Sequence, residues 1–163
     1  MSLERVFVAI GSNVEPEENF ATAIAALRQR FANVRVSTVY RNEAVGFEGD
    51  DFLNAVVEFT TDVDVAQLLA TLHEIEAQCG RRRDDPKWAP RRMDLDVLVI
   101  GEWRGEWPGL TLPRPDLTRK AYMLGPFVEL AEAAVDPISQ RPYRQLWEAM
   151  KAQHPMTATT LRF

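Results

Sequence analysis

Along the first hundred residues, hydrophobic positions recur with a period of two, then with the 3.6-residue period of a helix, and then repeat that switch. Val6, Val8 and Ile10, with Phe7 and Ala9 between them, form an apolar run ending at Gly11, which predicts a strand buried on both faces. Phe20, Ile24, Leu27 and Phe31 then follow at helical spacing, with Pro16 in the first turn. Val34, Val36, Thr38 and Tyr40 alternate and predict a second strand, and the stretch from Asn42 to Asp51 predicts a long loop. From Phe52 to Thr60 the alternation returns, with Leu53, Ala55, Val57 and Phe59 on one face and Asn54, Val56 and Glu58 on the other. Leu68, Leu72, Ile75 and Cys79 stripe a second helix, for which Gly80 is the expected stop. Met93 to Ile100 predicts a further strand, with Met93, Leu95, Val97 and Val99 on one face and Asp94, Asp96, Leu98 and Ile100 on the other.

The order βαββαβ predicts an α+β fold, a split βαβ sandwich whose mostly antiparallel sheet carries two helices on one face. Beyond it the pattern predicts a turn bearing Trp103 and Trp107, a short strand at Leu110–Leu112, a helix from about Ala121 interrupted near Pro126, and a last helix over roughly Tyr143–Gln153. No repeat or linker divides the chain, so residues 1–163 are expected to form a single domain.

Composition removes several classes. Hydrophobic residues are 46% and charged residues 26%, globular proportions that exclude disorder. No apolar run approaches the roughly 18 residues of a membrane span, and Met1-Ser2-Leu3-Glu4-Arg5 leads into a strand pattern and not a signal peptide, so a cytoplasmic protein with no membrane partner is expected. Cys79 has no second cysteine to bridge, and His73 and His154 are too few for structural zinc. The formal charge of −5 is unevenly spread: positions 81–92 hold six of the nineteen basic residues and two acids, which leaves −9 on the rest. Such a chain suits one small polyanion held at one place and not nucleic acid.

Asp94 and Asp96 carry the strongest local signal. At i and i+2 on a strand they project from one face, about 7 Å apart at the backbone. Two acids so placed repel unless a cation lies between them, and hard oxygen ligands favour Mg²⁺. A solvated acid pair at a strand end is the plain alternative. The basic segment with Trp88 stands immediately before them, so cations, an aromatic face and metal-binding acids converge as a nucleoside triphosphate requires; an ordinary arginine-bearing loop is the alternative. There is no P-loop motif, so the phosphates would be held by arginine and metal. Gly11-Ser12-Asn13 lets the backbone turn close to a ligand or is simply a turn. Asn54, beside Phe52 on one strand face, could read the edge of a heterocycle while the ring packs on it, or could be satisfied by nearby backbone. Cys79 reads as a core residue; His73 reads as a surface residue on the same side as Glu76, three residues on.

These residues together resemble the 6-hydroxymethyl-7,8-dihydropterin pyrophosphokinase family of folate biosynthesis, over Val6 to about Pro137. The resemblance is carried by Ala9-Ile10-Gly11-Ser12-Asn13, Tyr40-Arg41 with Val45-Gly46, Asp51-Phe52-Leu53-Asn54-Ala55, Glu76 with Gly80-Arg81, and above all Trp88-Ala89-Pro90-Arg91-Arg92-Met93-Asp94-Leu95-Asp96. It implies a ferredoxin-like fold and transfer of the β,γ-pyrophosphoryl unit of ATP to the pterin hydroxymethyl group, with release of AMP. By position, Asp94 and Asp96 would hold two Mg²⁺, and Arg81 and Arg91 would act on the phosphates. Phe52 and Tyr122 would sandwich the pterin, Asn54 would bond its edge, and Asn42, Val45 and Trp88 would complete its pocket. The nucleotide side would draw on His73, Glu76, Arg83, Trp88, Val97, Thr111, Arg114 and Lys120. The chain departs from the family pattern at Arg114, usually His, at Lys120, usually Arg, at Ala89, usually Gly, and at Arg92, usually Thr. A catalytically weak or inactive pterin- or nucleotide-binding homologue is the alternative. An RNA-binding module shares the βαββαβ order but lacks its aromatic signature here. A monomer is expected.

Overall fold

An apolar run with no polar side must lie between two layers, and the computed structural model places Val6–Ile10 inside a sheet with helices on both faces. It describes residues 3–42, 51–62, 64–79 and 93–163. The elements are β1 (Leu3–Ser12), α1 (Pro16–Arg30), β2 (Ala32–Val36), β3 (Tyr40–Asn42), β4 (Phe52–Asp62), α2 (Val65–Gln78) and β5 (Asp94–Ile100). They are followed by β6 (Gly105–Trp107), β7 (Leu110–Leu112), a 3-10 turn at Pro115–Thr118, α3 (Ala121–Leu130), α4 (Tyr143–Met150) and β8 (Thr157–Ala158). The main sheet runs β5-β1-β4-β3-β8, with β2 also on β4, and every pairing in it is antiparallel. This is the ferredoxin-like α+β sandwich expected from the element order.

The first core lies under α1 and α2. Val6, Val8 and Ile10 of β1, Leu53, Ala55, Val57 and Phe59 of β4, and Leu95 and Val97 of β5 meet Phe20, Ile24 and Leu27 of α1 and Leu68, Leu72 and Ile75 of α2. The second core covers part of the opposite face, where Phe7, Ala9, Val56 and Leu98 pack under Leu124, Phe127 and Tyr143. The expectation of helices on one face therefore holds for α1 and α2, while α3 roofs the other face.

Three local expectations need correction. The alternation read for β5 breaks after Val97: a bulge at the Phe7/Val8 pairing adds a residue, so Ile100 joins the first core with Leu95 and Val97, while Val99 packs on the second. The strand expected over Val34–Tyr40 is divided, because Ser37 Oγ accepts the Val56 N–H at 2.9 Å while the Ser37 N–H donates to Val56 O, diverting the chain before β3 begins. The helix expected to be interrupted at Pro126 runs unbroken over Ala121–Leu130. Gly125 has no Cβ to clash with the proline ring, and its bare face lets Trp147 and Met156 pack where a Cβ would stand under 3.0 Å from them.

Candidate active site

The roof stops short, and the candidate residues lie where it stops. In register, Asp94 stands opposite Gly11, which stands opposite Asn54, which stands opposite Tyr40. Asp96 stands opposite Ala9, and Phe52 opposite Asn42. Directly paired residues share a face, so Asp94, Asp96, Asn54, Phe52 and Asn42 belong to one corner of the second face. Asp94 is exposed, Asp96 and Phe52 are half-buried, and Asn54 is buried.

Gly11 makes this corner possible. A Cβ built on it would stand 3.0 Å from Asn54 Oδ1, so the bare backbone admits the amide. Asn42 Nδ2 is buried with no hydrogen-bond partner among the described residues, a donor left available beside Phe52.

The segment after β7 brings in the cation. The Arg114 N–H donates to Leu98 O at 2.8 Å, pinning this segment to β5. Its guanidinium then spans two acids, Nη1 at 3.7 Å from Asp96 Oδ1 and Nη2 at 3.7 Å from Asp116 Oδ2, while Nε is buried and unpartnered among the described residues. Tyr122, in the first turn of α3, senses the whole group. Burial chiefly pushes its hydroxyl above the usual phenol value; the charges of Asp116, Asp96 and Asp94 push the same way, and Arg114 opposes them. Among the described residues the corner is therefore net anionic, and the buried donors Asn42 Nδ2 and Arg114 Nε lack partners.

Glu76 of α2 reaches the open edge of β5, where its Oε2 accepts the Leu95 N–H at 3.0 Å, between the two aspartates. His73 is exposed one turn earlier on the same helix, and Thr111 is exposed on β7, which lies against β5. Lys120 precedes α3 and is exposed. The Val97 side chain is 2% exposed in the first core, so its main chain on β5 is what it can offer a ligand. Val45, Arg81, Arg83, Trp88 and Arg91 lie outside the described residues. Asp116, which shares Arg114 with Asp96, was not singled out from the sequence; its spacing two residues after Arg114 was the available signal.

The arrangement fits magnesium. Among the described residues no third acid, histidine or cysteine completes an all-protein cage with the two aspartates. Mg²⁺ commonly takes one or two carboxylates and fills its remaining positions with phosphate oxygens and water. Among the described residues the cation that meets Asp96 is Arg114, and its contact is loose at 3.7 Å.

The model of the family described as 7,8-dihydro-6-hydroxymethylpterin-pyrophosphokinase matches residues 7–132. The chain belongs to this family. It is 32% identical over 130 residues to the Bacillus subtilis 2-amino-4-hydroxy-6-hydroxymethyldihydropteridine pyrophosphokinase, with 77% of each chain covered. To the Synechocystis protein of the same name it is 36% identical over 144 residues, 86% of this chain and 73% of the relative. Its fold is that of the crystal structure of wild-type Plasmodium falciparum HPPK-DHPS, with a TM-score of 0.72 at 11% identity over 94% of this chain. It spans 45% of that longer chain.

Proposed function

We infer that the chain is an ATP-dependent pyrophosphokinase of folate biosynthesis, which transfers the pyrophosphoryl group of ATP to the hydroxymethyl group of 6-hydroxymethyl-7,8-dihydropterin and releases AMP. The observation that carries the site assignment is the register of Asp94, Gly11 and Asn54 across three adjacent strands. It puts a carboxylate and a buried amide side by side on one corner, which supports reading them as the phosphate-side and heterocycle-side contacts.

Asn54 bonds the pterin edge, with Asn42 Nδ2 supplying a further donor. Phe52 and Tyr122 offer aromatic faces to the ring. The hydroxymethyl group is thereby directed toward Asp94 and Asp96, the residues that would hold two Mg²⁺ together with the triphosphate. When bound there, magnesium would supply charge neutralisation for the phosphates and a lower pKa for the attacking hydroxyl, so no strong protein base would be required. Arg114 passes from Asp96 and Asp116 to phosphate oxygens as ATP arrives, with its unpartnered Nε as one donor. Glu76, His73, Thr111, Lys120 and the Val97 main chain border the nucleotide along the β5 edge. Arg81 and Arg91 neutralise charge on the transferring group, Arg83 and Trp88 contact substrates, and Val45 borders the pterin. We further propose a single domain acting as a cytoplasmic monomer, with neither nucleic-acid nor membrane partner. No helix among the described residues is long and apolar enough to cross a membrane.

The test is incubation of the protein with ATP, Mg²⁺ and 6-hydroxymethyl-7,8-dihydropterin, with AMP read by chromatography. AMP should form only when all three are present. Equal AMP without the pterin would make the protein a nucleotide hydrolase, and none at all would remove the transfer reading.

A further inference from the structure

Strand β3 is three residues long, yet it is held from three directions. Tyr40, Arg41 and Asn42 pair with Asn54, Leu53 and Phe52 of β4. On its other edge Tyr40 and Arg41 pair with Ala158 and Thr157 of β8, and the Thr159 N–H donates to Val39 O at 2.9 Å. The third attachment comes from α3: the Glu129 carboxylate accepts the Thr38 N–H at 2.9 Å through Oε2 and the Tyr40 hydroxyl through Oε1. So short a strand gains little from its own ladder, and these attachments converge on the one that ends at Asn42.

Tyr40 shares the face of Asn54 and Asn42, and its partner Glu129 lies seven residues after Tyr122 on α3. Seven residues are two helical turns, about 10 Å along the axis, and bring both side chains to the same side of the helix. One rigid helix thus carries the aromatic on one wall of the pterin slot and the peg that fixes the opposite wall.

We propose that Glu129 is a positioning residue for pterin recognition, which through Tyr40 and Thr38 fixes β3 against α3 and so sets Asn42 and Phe52 at their working distance from Tyr122. This rests on the assignment of Phe52, Asn54, Asn42 and Tyr122 to the pterin side. The Tyr40 hydroxyl is pushed up to about 12, first by burial and then by its bond to Glu129 and that group's charge, so it remains a donor at neutral pH. Glu129 touches no reacting atom; its effect passes through the wall it holds. The nucleotide edge of β5 lies across β1 and β4 from β3 and should not feel its loss.

The experiment compares Tyr40→Phe, Glu129→Gln and Glu129→Ala with the wild type. It reads KM for each substrate from AMP release, and pterin Kd by calorimetry in the presence of Mg²⁺ and a non-hydrolysable ATP analogue. In Tyr40→Phe, pterin KM and Kd should both rise about tenfold, the scale of one lost hydrogen bond to a charged group, while KM for ATP stays within about twofold. Glu129→Gln keeps one acceptor and should lose less pterin affinity than Glu129→Ala; if the alanine variant does not fold, Tyr40→Phe decides. A parallel rise in both KM values, or unchanged pterin affinity in Tyr40→Phe, overturns the proposal and leaves a purely structural bond. Wild-type protein that binds the pterin without forming AMP would remove the transfer reading, while a loss of affinity in Tyr40→Phe would still uphold the clamp. Wild-type protein with no pterin affinity would overturn both.

Discussion

Glu58 and Asp96 stand on the same face of the sheet, on either side of β1 opposite Phe7 and Ala9, and their circumstances differ sharply. Glu58 is 6% exposed and tightly held, at 2.7 Å by Arg5 Nε and at 2.9 Å by Arg35 Nη1. Asp96 is partly open to solvent and meets only the loose Arg114 contact at 3.7 Å among the described residues. Between them α3 roofs Phe7, Ala9, Val56 and Leu98. A carboxylate with two close guanidinium partners adds to the fold and has little attraction left for a ligand. One with a distant, shared partner can exchange it for a metal.

Asp96→Ala offers the sharpest way to break this contrast. AMP formation should fall by at least about a thousandfold, the scale of losing a group that organises charge at the transferring atoms. Its melting temperature should change little, because the side chain is part-exposed. Turnover above a tenth of wild type would end the catalytic assignment. By contrast, Glu58→Ala removes the acceptor of two guanidiniums that are more than half exposed and that water can solvate, and urea unfolding should show a loss of about 1 kcal/mol. Its kcat at a temperature where it remains folded should stay near that of the wild type; a large kinetic defect would blur the distinction between the two carboxylates. Gly11→Ala tests the corner's geometry. The new Cβ, 3.0 Å from Asn54 Oδ1, should raise pterin KM about tenfold with little change in ATP KM, the scale of one displaced polar contact. The smallest effect is alkaline. Because Tyr40 is raised from 10.0 to about 12 in the folded chain, the unfolded chain releases its proton first, and stability should decline as pH rises from 10 through 12. Tyr40→Phe should flatten that decline in thermal melts.

Much of this was legible in the sequence, for local reasons. The period of two assigned both faces of β4 correctly, because each side chain there meets a covered or polar surface without interruption. The same period put Asp94 and Asp96 together, since i and i+2 on a strand share a face whatever the fold. It failed at Ile100, where a bulge changes the phase with no residue type to announce it. It ran through Ser37, whose hydroxyl competes for a ladder position only because Val56 is opposite. Pro126 misled because its cost depends on Gly125 and on the packing of α4, neither visible from the proline alone. At the site, Arg114 was legible as a cation, but its division between Asp96 and Asp116 depends on the β5 edge that anchors it. The bond of Tyr40 to Glu129 joins residues 89 apart in the chain, and no local pattern pairs them.

The Glu76 bond to the Leu95 N–H has a consequence for the protein's life in a crowded solution. Among the described residues β5 is an outer strand of the sheet, and an outer strand with free amides is a template on which a second chain can assemble. Glu76 occupies one of those amides, and the negative charges at Asp94 and Asp96 on either side of it would repel a docking strand. The acids proposed to bind magnesium would then also guard against fibril growth.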